Sequence, residues 1–238
     1  MADRLPSPGA SYRRHSLAVR VMHWINAIAM IALLMSGLQI FNAHPALYWG
    51  KSSYTGAGPI FAPGRFPGWI TLPGVQWLAM GRRWHFFFAW VLVLNGAAYL
   101  GYSIASRHLA RDLWPTRAEL SGVGASIEDH LRLRQPVGAA ARRYNVLQKL
   151  AYLAVILVLV PFLVLMGLGM SPALDSVLPG WVDFLGGRQA VRTLHFAAAA
   201  LLVAFAAVHV FEVIVTGAWN NLRSMITGAY RAPPGDEP

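Results

Sequence analysis

The chain of 238 residues contains no cysteine. That absence excludes thiolate-held iron–sulfur clusters, disulfides and covalent Cys-x-x-Cys-His haem attachment, so any haem must be held by axial ligands and packing alone. Charge is scarce as well: Asp, Glu, Lys and Arg make up 13% of the residues, where a soluble domain carries about 25%. Acidic residues are the scarcer kind, ten against twenty Lys and Arg, which leaves a net charge of +10. A basic balance can indicate nucleic acid, but here the arginines gather at the ends of apolar runs, the distribution of a membrane protein, and no nucleic-acid partner is expected. The first residues, Met1 to Ser16, are polar with Pro6, Pro8 and Gly9 and lack an apolar stretch followed by a cleavage site, so no cleaved signal peptide is expected. No repeat or low-complexity tract interrupts the chain.

What the chain has in excess is hydrophobic residues, 56% of the total, gathered into four runs at about 19–41, 84–104, 147–170 and 191–216. Each matches the ~20 residues needed to cross a bilayer as a helix. The expected fold is therefore an all-α integral membrane protein, a four-transmembrane-helix bundle spanning 19–222, with an arm over 1–18 and a tail over 223–238. Between the first two runs lies a loop, His44 to Gly81, punctuated by Gly58-Pro59, Pro63-Gly64, Pro67-Gly68 and Pro73-Gly74, which predicts irregular but compact structure. The stretch Arg107 to Arg143 is polar, with a short surface helix expected over Ser126 to Arg134, and Ser171 to Arg188 joins the last two runs. The arm, the middle loop (Arg134, Arg142 and Arg143 included) and the tail hold fourteen of the twenty Lys and Arg; the other side holds six. The positive-inside rule then puts both termini in the cytoplasm, with the Gly/Pro loop outside.

Four histidines stand out. His195 and His209 lie fourteen residues apart in the last run, just under four helical turns and roughly 21 Å along one face. His23 and His85 sit near the starts of the first and second runs. With the topology above, His85 pairs with His195 toward the outer face and His23 with His209 toward the cytoplasm. Imidazole is a neutral axial ligand for b-type haem iron, so two pairs suit two non-covalent bis-histidine haems. Arg20, Arg82 and Arg192 each precede one of these histidines by three residues, on the same helix face, where a guanidinium can bind a haem propionate through two charge-assisted hydrogen bonds or simply mark the membrane boundary. Gly37 and Gly96 fall on the faces of His23 and His85 at the other haem's depth, where a missing side chain admits a flat macrocycle or close helix packing. His15, His44, His108 and His130 are expected to be solvated. No catalytic side chain is assigned.

Taken together, Arg20-Val21-Met22-His23-Trp24, His85, Arg143-Tyr144-Asn145-Val146-Leu147-Gln148-Lys149, the His195/His209 pair and Ser224-Met225-Ile226-Thr227-Gly228 resemble the bacterial di-haem cytochrome b membrane subunits. This is the cytochrome b-561 type, which includes nickel–iron hydrogenase cytochrome b and the formate dehydrogenase gamma subunit. The resemblance runs from Arg14 to Tyr230. It implies electron transfer between a membrane quinone and a redox subunit on the outer (periplasmic) face, such as a molybdopterin oxidoreductase. It also implies a quinone pocket at the start of the third helix, where Asn145 and Gln148 match and where Asn145 can equally cap the helix. Glu212, one turn after His209, is a candidate proton relay or an interfacial carboxylate. Three alternatives stay open: a homo-oligomer, a self-sufficient quinone-linked oxidoreductase acting on a small oxidant such as superoxide, and a non-redox transporter. The aromatics of the outer loop (Trp49, Trp69, Trp77, Tyr48, Tyr54, Phe61, Phe66) form either an interfacial belt or a partner contact.

Overall fold

The computed structural model describes residues 11–53, 58–132, 145–178 and 180–231, without the side chains of 129–131 and 175. Pro6, Pro8, Gly9, Tyr54, Arg134, Arg142, Arg143 and Tyr144, which figure in the sequence reading, lie outside the described residues, as does the His130 side chain.

In chain order the elements are β1 (Ser11–Arg13), α1 (Leu17–Phe41), α2 (Leu78–Ala105), α3 (Arg117–Ser121), α4 (Val123–Leu131), α5 (Val146–Ala154), α6 (Val160–Gly169), α7 (Pro172–Val177), α8 (Trp181–Phe184), α9 (Arg188–Val215), α10 (Ala218–Thr227) and β2 (Ala229–Arg231). Four helices are long and apolar enough to cross a membrane: α1, α2, α5 with α6 (Val146–Gly169), and α9. They coincide with the four predicted runs, except that α2 begins six residues early and so takes in Arg82 and Arg83. The join between α5 and α6 is a wider turn of π type at Val155–Leu159, one residue ahead of Pro161, which cannot donate to an α-helical ladder. Large apolar side chains such as Ile28, Trp90, Leu201 and Ile214 are exposed along these helices, as expected where the solvent is hydrocarbon and each helix must satisfy its own backbone.

The chain divides into two compact units, and each of the four long helices contributes one part to each. The first unit holds residues 1–23, 97–156 and 205–238. In it β1 and β2 pair antiparallel, Tyr12 opposite Tyr230, and Arg14 lies 4.7 Å over the Tyr230 ring. The arm and the tail, plain flanking segments by sequence, form this ribbon and the amphipathic α10, which is bounded by left-handed backbone at Gly217 and Gly228. Residues 107–132 of the polar middle stretch hold more regular structure than expected. A π-type turn at Leu109–Leu113 leads to α3, whose capping box pairs Thr116 with Glu119. The predicted surface helix begins earlier, as α4.

The second unit holds residues 24–96 and 157–204. Its core gathers Met166, Val182 and Val191, with Trp181 and Leu194 packed against them. The Gly/Pro loop is pinned at several points. The Asn42 amide exchanges two hydrogen bonds with the backbone of Phe66, at 2.8 and 2.7 Å, and Leu47 bridges Phe61. Thr193 donates to the Tyr48 carbonyl at 2.7 Å.

Candidate functional site

In the second unit, α2 and α9 bring the rings of His85 and His195 to a centroid separation of 6.2 Å, 68° apart in plane. In the first unit, α1 and α9 bring His23 and His209 to 6.3 Å and 55°. These are the two pairings drawn from the sequence. An imidazole nitrogen sits about 2 Å from a transition metal, with the ring centroid about 1 Å behind it, so two imidazoles trans on one metal have centroids about 6 Å apart. Both pairs meet that requirement.

The protonation pattern of the His85/His195 pair is fixed by its neighbours. His195 Nδ1 lies 2.9 Å from the Leu163 carbonyl oxygen, which can only accept, so Nδ1 carries the proton. Ser36 donates its hydroxyl proton to the Ala32 carbonyl at 2.6 Å and accepts from His85 Nδ1 at 3.1 Å. Both rings therefore keep a lone pair on Nε2, the nitrogen a metal would take. Two glycines make this possible. A Cβ on Gly167 would stand 3.2 Å from His195 Cε1, and one on Gly37 would stand 3.4 Å from His85 Cε1. Gly167 lies four residues after Leu163, on the same face, so its missing side chain lets the imidazole reach that carbonyl. Gly37 stands in the same relation to Leu33, whose carbonyl also faces His85. Gly37 thus accommodates the His85 ring itself, where a macrocycle was expected. Gly96 opens onto empty space, with nothing within 4 Å of an added Cβ. Gly167, Ser36 and Leu163 escaped the sequence reading; a glycine four residues after a carbonyl that a histidine needs carries no signal until the helices are paired.

At the other pair, Phe205 stacks on His209 at 6.2 Å and 16°. Arg20 is 7% exposed and donates to the Ile226 carbonyl at 2.6 Å, while its buried Nε has no hydrogen-bond partner among the described residues. Arg192 departs from its expected role. Its two terminal nitrogens donate to the carbonyls of Ala46 (2.7 Å) and His44 (2.5 Å), with Phe41 beneath, so it clamps the loop. Arg82 is exposed beside the Phe86 ring.

Asn145 is the N-cap of α5. Its Oδ1 accepts from Leu147 N and from the Ser126 hydroxyl, and Gln148 Oε1 accepts from Asn145 N, completing a capping box. The capping alternative is therefore realised, and it occupies both amide oxygens. Glu212 is half-buried. The remaining histidines are not simply solvated. Burial, then the Arg14 charge, pushes His15 down to about 4. Burial, then Arg192, lowers His44, which stacks on Tyr48 at 5.7 Å, and His108 pairs with Asp112 at 2.5 Å.

Among the described residues no group of three or more His, Asp or Glu is placed to hold a metal ion. Two facing histidines with no third ligand suit a metal whose other ligands come with a macrocycle, which is how haem iron is held. Comparison with known proteins agrees. The family profile for prokaryotic cytochrome b561 matches residues 14–228. A chain of Azospira oryzae, named as the protein-methionine-sulfoxide reductase subunit YedZ1, is 34% identical over 217 residues, covering 91% of this chain and 97% of that one. A chain of Cupriavidus necator, named as a Ni/Fe-hydrogenase B-type cytochrome subunit, is 22% identical over 223 residues, covering 88% and 83%. With four apolar helices and paired histidines, this chain belongs to the prokaryotic cytochrome b561 family, multi-pass inner-membrane helical bundles that bind b-type haem and transfer electrons.

Proposed function

We propose that the chain is a di-haem cytochrome that carries electrons between the membrane quinone pool and a redox subunit docked on the outer face. The observation that carries this reading is the pair of imidazole pairs, each at the separation one iron requires. Haem iron, when bound, supplies a one-electron carrier at each pair. A quinol releases two electrons and two protons, so two such carriers match its stoichiometry. His85 and His195 hold the outer haem through Nε2; His23 and His209 hold the inner one. Arg20, through its unpaired Nε, and Arg82 are the propionate partners, whereas Arg192 acts on the loop.

The quinone reading places the ring at the start of α5. With both amide oxygens used in capping, Asn145 Nδ2 and Gln148 Nε2 serve as donors to a quinone carbonyl, and Glu212 accepts a proton from quinol. For the partner, the likeness to the Azospira chain supports a reductase of the protein-methionine-sulfoxide class, which consumes two electrons and two protons per sulfoxide and releases water. The molybdopterin oxidoreductase expected from the sequence fits that role. Orientation follows the arginine distribution, with both termini in the cytoplasm.

The test combines cofactor counting with quinol kinetics on the purified full chain. Acid–acetone extraction should release two haems per polypeptide. Asn145→Ser retains a capping oxygen while removing the amide donors, and together with Gln148→Leu it should slow haem reduction by quinol at least about tenfold, the worth of roughly one hydrogen bond of 1.4 kcal/mol. One haem per chain overturns the di-haem reading, and unchanged quinol kinetics move the pocket away from α5. Sulfoxide or superoxide turnover by the chain alone replaces the partnered reading with a self-sufficient one.

A further inference from the structure

At the end of α2 the first unit has an open surface pocket of about 460 Å³ lined by Ser103, Ile104, Arg107, Leu109, Ala110 and Trp114. The electron-transfer reading makes no use of it. Its lining residues are apolar apart from the buried Ser103 and the exposed Arg107. Arg107 is the single non-glycine residue with positive φ, 58°, among the described residues, a left-handed conformation that L side chains other than Asn and Asp rarely adopt unless the surroundings impose it. It forms the corner between α2 and the turn Leu109–Leu113, where Arg111 N bonds the Arg107 carbonyl at 2.9 Å. The corner thus places two arginines within one turn.

Charge makes the pocket specific. Among the described residues neither the Arg107 nor the Arg111 guanidinium donates to a carboxylate or a carbonyl. The one carboxylate of that turn, Asp112, is taken by His108 at 2.5 Å. An uncompensated cation beside an apolar pocket matches an amphiphile with an anionic head. A free phosphate would make no use of the apolar wall, whereas an acyl chain would cover it. Trp114, 58% exposed at the rim, is a side chain that settles at the membrane–water boundary.

We propose that this pocket is a binding site for an anionic phospholipid, with the phosphate on Arg107 and Arg111 and the start of an acyl chain against Ile104, Leu109, Ala110 and Trp114. The site rests on the chain being a membrane protein and not on the quinone assignment.

The test is native mass spectrometry of the haem-loaded chain released from nanodiscs of phosphatidylglycerol and phosphatidylcholine in equal parts, with organic extraction of what co-purifies. The wild type should retain phosphatidylglycerol in preference to phosphatidylcholine. Arg107→Gln should cut that preference about fivefold, the size of one basic residue's attraction to an anionic membrane surface. Ala110→Trp, which fills the pocket and leaves both arginines, should abolish retention, and Arg65→Gln should change nothing. Haem absorbance checks that each variant is folded. Equal retention of the two lipids, an Arg107→Gln variant that binds as the wild type does, or recovery of a quinone in place of phospholipid would each overturn the proposal.

Discussion

His195 shows how much a single buried side chain depends on its neighbour's lack of one. Its Nδ1 proton is held by the Leu163 carbonyl at 2.9 Å, and that contact exists because residue 167 is glycine. An alanine there brings a methyl carbon to 3.2 Å from Cε1, tighter than ordinary contact, whereas the same change at Gly37 leaves 3.4 Å. Gly167→Ala should therefore move the α-band or the midpoint potential of one haem, measured by redox titration of the purified protein, while Gly37→Ala shifts it less. Equal shifts would mean that the carbonyl contact does not set the ring's position. Removing the ring is the stronger test. His195→Ala should lose one haem of two and keep the signal of the other, because His23 and His209 are untouched. Arg192 belongs to this scale as well: its clamp on the loop carbonyls predicts that Arg192→Gln loosens the loop, seen as faster amide exchange around His44 to Tyr48, with both haems kept.

Among the elements, α3 and α4 are tied to the start of α5 by two contacts. Lys149 Nζ, 7% exposed, lies 2.8 Å from Glu119 Oε1, and the Ser126 hydroxyl donates to Asn145. The Lys149 hydrogen bond, then the Thr116 backbone, holds the Glu119 carboxyl below its ordinary value of 4.5. A carboxyl lowered in the folded state stabilises fully above that ordinary value and loses its contribution as pH falls through the lowered one. Thermal melts of the detergent-solubilised protein should show wild type and Glu119→Gln separated at pH 7, the variant melting lower, and converging as the pH falls from the ordinary carboxyl value through the lowered one. A constant gap across that range would remove the ion pair from the account. The outer loop poses the other question at this scale. Trp69 and Trp77 are 82% and 53% exposed, while Tyr48 is buried and Phe66 half-buried against Phe41. The loop thus spends some aromatics on its own packing and presents others. Trp69→Ala with Trp77→Ala should slow electron exchange with an outer partner and leave haem content and quinol reduction intact; full physiological turnover would assign the tryptophans to the membrane interface.

For the whole molecule the decisive variable is orientation, since it determines which histidine pair meets the partner. Reporter fusions after Gly58 and after Ser176 should register outside, and those at Gly122 and the C-terminus in the cytoplasm. The reverse pattern would exchange the roles of the two pairs. The likenesses found for the chain are to proteins named as subunits, of a reductase and of a hydrogenase, which accords with a cytochrome that passes electrons onward.

The sequence by itself determined the membrane class, the four spans and the four histidines, because length and apolarity of a run are local properties and a bilayer makes the same demand of every helix that crosses it. It also carried the pairing of His85 with His195 and of His23 with His209, since depth along a helix follows from residue count once orientation is chosen. The tertiary structure decided which atoms are committed. Arg192 looked equivalent to Arg20 and Arg82 by its offset from a histidine, yet its two terminal nitrogens donate to loop carbonyls from residues well over a hundred positions away. Asn145 could bind a quinone or cap a helix by its chemistry, and the fold assigns its oxygen to the cap. Gly167 and Ser36 had no reason to be singled out until another helix brought a histidine against them. Hydrogen-bond partnership between distant segments depends on positions in space that no periodicity encodes.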